Sequence, residues 1–159
     1  MKGEPAERLD PRAITLWRIV GTLNVLPLLI GAGFAGWALL RFGDVSFFFG
    51  VLLALAVLAL AGVVVGVVPE LRWRRWRYEI RPDEVDLQRG IFWISRTLVP
   101  LARIQHVDTR QGPLQRRFGL STVVLYTAAG PNQIPELSTP IAERARDRIA
   151  ELTREQDEL

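Results

Sequence analysis

The stretch IVGTLNVLPLLIGAGFAGWALL, residues 19–40, decides the architecture together with a second one, FFFGVLLALAVLALAGVVVGVV, residues 47–68. Each holds 22 residues and no charge. At a rise of about 1.5 Å per residue either would reach about 33 Å as a helix, enough to cross a hydrocarbon core of about 30 Å. The connection from Arg41 to Ser46 is short, so the two helices must be antiparallel neighbours. The pattern predicts a transmembrane hairpin over residues 19–69, with spans at about 19–40 and 47–68. Both segments are too long for a signal-peptide core, and a charged stretch precedes the first, so the hairpin is expected to stay in the mature protein.

Within the first span, Asn24 lies about a turn before Pro27, where it can bond the interface or the carbonyls that the proline frees. Gly31, Gly33 and Gly36 form a small-residue region suited to close helix packing. The second span carries Gly62 and Gly66, a GxxxG match that puts two glycines on one helix face. They are candidate packing positions, toward the first span or toward another chain. Pro69 is the expected end of the second span. Neither span holds an ionisable residue, which argues against a proton relay or an ion pathway.

The flanks set the orientation. Short segments rich in Arg and Lys resist translocation. Lys2, Arg8, Arg12 and Arg18 precede the first span, Arg41 alone lies between the spans, and Arg72, Arg74, Arg75, Arg77 and Arg81 follow the second. Both termini are therefore expected on the cytoplasmic side of the cell membrane. Residues 1–18 mix signs and contain Pro5 and Pro11, and are expected to be a cytoplasmic juxtamembrane tail. Asp10-Pro11 is also a helix start, Asp as N-cap and Pro in the first turn, which could run straight into the first span.

The remaining composition excludes several chemistries. The chain has no cysteine and one histidine, His106, so thiolate metal sites, disulfides and His-based metal clusters are out of reach. The net charge is only +3, which is no signature of nucleic-acid binding.

After the hairpin comes Arg72-Trp73-Arg74-Arg75-Trp76-Arg77-Tyr78. Basic and aromatic residues interleaved could stack and pair with single-stranded nucleic acid. Directly after a membrane helix they have a simpler task, Trp at headgroup level and Arg on anionic lipid. Arg72, Trp73, Arg74, Arg75, Trp76 and Arg77 are therefore candidate lipid-interface residues.

From Trp76 onward the period changes to two. Strands are expected at about 76–80, 85–88, 91–99, 103–110, 121–128 and 133–137, with turns at Arg81–Glu84, Arg89-Gly90 and Ala129–Asn132. Pro113–Phe118 reads as one helical turn ended by Gly119. Thr139-Pro140 starts a helix over about 140–155, with Ile141, Ala145, Ile149 and Leu152 on its apolar face. A sheet followed by one amphipathic helix is an α+β roll or barrel closed by that helix.

These residues carry a resemblance. Trp76-Arg77-Tyr78-Glu79-Ile80 follows two membrane helices, and a Gly90-Ile91 turn comes next. The run Val99-Pro100-Leu101-Ala102-Arg103-Ile104-Gln105-His106-Val107-Asp108 leads to Gly112-Pro113-Leu114-Gln115-Arg116-Arg117-Phe118-Gly119-Leu120, and Thr127-Ala128 ends the next strand. The chain resembles the bacterial pleckstrin-homology-like (PH-like) domain family in its YdbS-type, two-helix membrane form. The resemblance covers nearly the whole length, and residues 100–120 are its specific part. It implies a PH-like domain over residues 70–159: a bent antiparallel β roll/barrel capped by the C-terminal helix. It also implies a membrane protein of poorly defined activity that assembles with itself or with a larger PH-like membrane protein, and the residues themselves point to a non-catalytic subunit. No cofactor, nucleic acid or small-molecule substrate is expected.

Within that motif, His106 and Asp108 fall on one strand face, with no accompanying nucleophile or metal set, so no enzyme site is expected. The hairpin Arg81–Glu84 with Asp86 carries carboxylates that would repel phosphate, a departure from lipid-binding PH domains. Arg116 and Arg117 are a basic pair on a separate loop, a candidate site for a partner or for lipid headgroups, against plain surface charge. The polar strand face of Arg103, Gln105 and Arg110, with an open sheet edge, is a candidate surface for a partner strand.

Overall fold

A computed structural model describes residues 4–43 and 47–157, so Asp44, Val45 and Ser46 of the inter-helix connection lie outside the described residues. The chain divides into two compact units. Residues up to Leu16 join with Leu71 onward, and Trp17–Glu70 form the other.

In the second unit, helix α1 (Arg12–Phe42) runs without interruption through Pro27. Helix α2 (Phe47–Gly62) leads into a π-helical turn (Val63–Val67) and then α3 (Val68–Arg75). Both runs are long and apolar enough to cross a membrane. The helices are antiparallel: Gly21 near the start of α1 lies against Val65, and Gly50 near the start of α2 lies against Leu40. The second helix continues past Pro69, where the span is expected to end. Proline lacks the N–H that would bond four residues back, and its ring crowds the carbonyl there. The wide turn at Val63–Val67 precedes that position and shifts the hydrogen-bond ladder, so the helix continues to Arg75.

Among its described residues the first unit is built from seven strands in two antiparallel sheets. The first sheet has the order β1-β2-β3-β4, from β1 (Glu7–Arg8), β2 (Arg77–Ile80), β3 (Glu84–Arg89) and β4 (Ser95–Pro100). The second has the order β5-β6-β7, from β5 (Ile104–Arg110), β6 (Leu120–Thr127) and β7 (Gly130–Ser138). A single 3-10 turn, Leu101–Arg103, links the sheets. Helix α4 (Pro113–Phe118) joins β5 to β6, and α5 (Thr139–Asp157) packs across β5, β6 and β7. The fold is α+β, a PH-like antiparallel roll capped by its last helix.

Alternation builds the core. Tyr78, Val85, Leu87 and Val99 are buried on the first sheet, and Val123, Leu125, Ile134 and Leu137 on the second. Helix α5 closes the roll with Ala142, Ala145, Ile149 and Leu152, whereas Ile141 stays 40% exposed. The spacing of three, four and three residues from Ala142 keeps one face turned inward, and Ile141 falls just off it.

The largest correction concerns the N-terminus. The expected tail is part of the domain over its described residues 4–16. Glu7 and Arg8 pair with Tyr78 and Arg77 as an added edge strand. Leu9, Ala13 and Leu16 are buried, and the Asp10 N–H donates to the Glu136 carbonyl at 3.1 Å. Isolated apolar residues among charges gave no period to read, yet each fills a core position. The Asp10 cap itself holds: its carboxylate accepts from the Arg12 N–H at 2.9 Å, and the helix continues into the first span.

A second correction falls at Ile91–Val99, expected as one strand. The strand begins only at Ser95, and residues 90–94 form a loop. Gly90 has φ +123°, and a Cβ there would lie 1.8 Å from the Trp93 carbonyl oxygen. The chain therefore folds back on itself before β4, a fold only glycine permits. The hairpin between β6 and β7 is also tighter than expected. Ala128-Ala129 make the turn, Gly130 takes φ +120°, and both strands run up to them.

Candidate interaction surfaces

The motif between Pro100 and Leu120 is first a structural device. Gly112 opens α4, its N–H donating to the Gln115 side-chain oxygen at 2.9 Å. Gly119 closes the helix in the left-handed conformation at φ +63°. Gln111 donates to the Leu120 carbonyl at 2.9 Å and to the Thr139 hydroxyl at 3.2 Å, and so ties the helix to the start of α5. Gln115 donates to Thr122 at 2.8 Å and to the Glu136 carboxylate at 3.1 Å. Arg12 reaches the Phe118 carbonyl at 2.8 Å, so the N-terminal segment also closes on this motif.

Glu136 escaped the sequence reading. It is buried and stands at a β7 irregularity with φ +52°, a conformation side chains seldom adopt. Only the fold brings it to Gln115.

The fold also revises the candidate lipid-interface set. Trp76 is buried in the core at 4% exposure, so it is no headgroup anchor. Its place between helix and strand turns its ring inward. Trp73 is half-buried, its indole N–H donating to the Leu9 carbonyl at 2.9 Å, and Arg8 lies over its ring at 5.7 Å. Arg77 is a strand residue that faces Glu4 at 3.9 Å. Arg72, Arg74 and Arg75 remain exposed on α3. The aromatic and basic residues thus divide between domain packing and surface.

Arg116 and Arg117 are exposed at the end of α4. Gly62 and Gly66 have nothing within 4 Å of a built Cβ, so no close approach of α1 depends on their missing side chains. The close approaches fall at Gly21 and Gly50 instead. The Gly66 carbonyl lies 3.3 Å from the Arg18 guanidinium, which is also 3.8 Å from Glu70. Between α1 and α2 runs an apolar groove of about 440 Å³, lined by Gly33, Gly36 and Trp37 on one side and Leu53 and Val57 on the other.

The first hairpin is electrostatically closed. Asp86 is fully buried, and Arg96 donates to both its oxygens from Nε at 2.9 and 3.1 Å. Arg81 lies 3.5 Å from Asp86, 2.6 Å from Glu79 and 3.5 Å from Glu84. Hydrogen bonding to Asp86 raises the Arg96 pKa, and hydrogen bonding to Glu79 raises that of Arg81. The arginines here already serve carboxylates.

On β5, His106 and Asp108 are exposed and 3.8 Å apart. The His106 ring stacks on Tyr126 of β6, centroids 4.2 Å apart and planes 17° apart. Arg110 lies over the same Tyr126 ring and donates to its hydroxyl. The pair is thus part of a surface aromatic and basic cluster on two paired strands. Strand β5 is one edge of its sheet, and β4 is one edge of the other.

This architecture agrees with what known proteins show. A family model described as "Bacterial PH domain" matches residues 18–153. The chain belongs to the bacterial PH domain family. It is 36% identical to the UPF0699 transmembrane protein YdbS of Bacillus subtilis (strain 168), over 99% of both chains. It is 30% identical to the UPF0699 transmembrane protein YdbT of the same organism, over 65% of this chain and 20% of that one. No solved structure matches. This bacterial PH domain protein is a YdbS-type membrane protein with two candidate transmembrane helices, and neither relative is named as an enzyme.

Proposed function

We propose that the protein is a membrane-anchored PH-like interaction module, a non-catalytic subunit that assembles with itself or with a longer membrane protein of its family. The observation that carries this reading is the open edge of β5. Its outward backbone N–H and C=O groups have no strand beyond them among the described residues. Such an edge is a template for a partner strand. The His106–Tyr126–Arg110 cluster beside it supplies side chains to recognise one. A second support is the likeness to YdbT, in which the aligned segment is only a fifth of a longer transmembrane protein. The unoccupied faces at Gly62 and Gly66 leave room for a further helix. The protein would lie in the cell membrane with both termini in the cytoplasm, as the basic flanks favour.

Mass measurement after purification in a mild detergent, with co-purification from native membranes, tests this. A dimer or larger assembly, or a co-purifying family member, is the expected result. A strictly monomeric chain with no stable partner would overturn the reading.

Anionic-lipid binding is a second reading, favoured by the exposure of Arg116 and Arg117 away from the closed acidic hairpin. The full chain in bilayer discs should be used, because residues 4–16 complete the domain. Headgroup-selective binding that is lost in Arg116→Ala/Arg117→Ala would favour this second reading over the first.

A further inference from the structure

The loop between β3 and β4 presents Phe92 and Trp93, each 87% exposed, with Ile94 50% exposed beside them. Three large apolar side chains at a loop tip in water are unfavourable unless something covers them. The loop is preformed, because Gly90 at φ +123° folds the chain against the Trp93 carbonyl.

The strand register says where this loop points within its own unit. Helix α3 ends at Arg75 and β2 starts at Arg77, so a single residue separates them. Strand β2 runs away from that exit to the Arg81–Glu84 turn, and β3 returns antiparallel. Arg77 pairs with Gln88, and Arg89 with Ser95. The 90–94 loop therefore leaves the sheet at the end where the chain enters it from α3. The acidic turn with Asp83 and Glu84 lies at the opposite end.

The charges divide the same way. Arg8 pairs with Arg77 at the entry end, Arg89 borders the loop, and Arg75 closes the preceding helix. An apolar aromatic tip with arginines at the same end of the sheet matches the boundary between acyl chains and anionic headgroups, where Trp sits and Arg meets phosphate. The adjoining helix runs back into a candidate membrane span, so the bilayer is present at high local concentration and insertion of a small loop needs no separate recruitment.

We propose that residues 91–94 insert into the interfacial layer of the bilayer as a second, aromatic foothold for the domain, with Arg89 on the headgroups. This is independent of the protein-binding reading, which rests on β5.

The chain has no cysteine, so single-site labelling is clean. Phe92→Cys and, as control, Asp83→Cys in the opposite turn would each carry a nitroxide label. Both full-length variants would be placed in vesicles of phosphatidylcholine and phosphatidylglycerol. Collision with apolar oxygen and with a water-soluble nickel chelate would then be read by electron paramagnetic resonance. The expected result is more oxygen than nickel contact at position 92 and the reverse at position 83. Equal nickel contact at both positions would overturn the proposal. Loss of contact with both relaxants at 92 would overturn it as well, in favour of a protein surface over the loop. Both sites are surface turns, and unchanged thermal midpoints would show that the labelled chains are folded.

Discussion

Gly90 sets the direction of the loop at the entry end of the first sheet. At φ +123° a side chain is strained, and its Cβ would collide with the Trp93 carbonyl. Gly90→Ala should cost about 1–3 kcal/mol, the range for a residue forced into a sparsely populated backbone region. Thermal unfolding of the detergent-solubilised protein measures it. A variant as stable as the parent would show that the loop has another conformation of equal energy. Asp10 offers a pH-dependent case. The hydrogen bond from the Arg12 side chain lowers its pKa below the ordinary 3.8, against a smaller opposing effect of burial. A depressed folded-state value adds stability at neutral pH, and that stability fades as pH falls through the carboxylate range. Asp10→Asn still caps the helix but lacks the charge. It should unfold at a lower temperature than the parent at pH 7, and the gap should be smaller at pH 3. Melting curves at the two pH values decide it. Tyr78 shows the same coupling from the other side: burial, then a hydrogen bond with Glu7, raises its hydroxyl pKa. Glu7 belongs to the edge strand that residues 78 and 77 hold in place.

At the scale of elements, the N-terminal segment is the part with the most consequence. Two residues of strand and a few apolar side chains convert a juxtamembrane stretch into a wall of the domain. Leu9 is 2% exposed. Leu9→Ala should therefore cost about 2–5 kcal/mol, as for other buried leucines. Ile141→Ala, on the half-open flank of α5, should cost no more than about 1 kcal/mol, near the range for surface changes. Chemical denaturation of the two variants side by side measures the contrast. Equal losses would mean that the segment does not hold Leu9 in the core. The helix of six residues at Pro113–Phe118 is the complementary case, legible in the sequence because glycine and proline fix its ends whatever surrounds it. Its side-chain bonds to Thr122 and Glu136 were not legible, since they depend on how β6 and β7 fold against it.

For the whole molecule, the division is between an address and a surface. The address is a pair of apolar helices with basic flanks. Its orientation is testable with single cysteines in the cysteine-free chain. With both termini in the cytoplasm, Glu155→Cys should resist an impermeant maleimide in intact cells and react after lysis. Ser46→Cys should react from outside. The opposite pattern would invert the protein. The surface is an edge strand, an aromatic loop and two arginines at the end of α4, presented by a roll that contributes no free carboxylate cage for a cation among its described residues.

The sequence by itself determined the membrane helices, the strand-rich domain with its closing helix, and the family. Each of these is written in a local period or in residues at fixed short offsets, and desolvation of apolar runs acts on them whatever the rest of the chain does. Tertiary structure alone decided that residues 4–16 belong to the domain and that Trp76 is core rather than lipid anchor. It also decided that Ile91–Ile94 is an exposed loop rather than a strand, and that Glu136 meets Gln115. The reason is physical. Burial depends on which distant surface arrives to cover a side chain, and a tryptophan next to a membrane helix carries the same letter whether lipid or a sheet takes its ring.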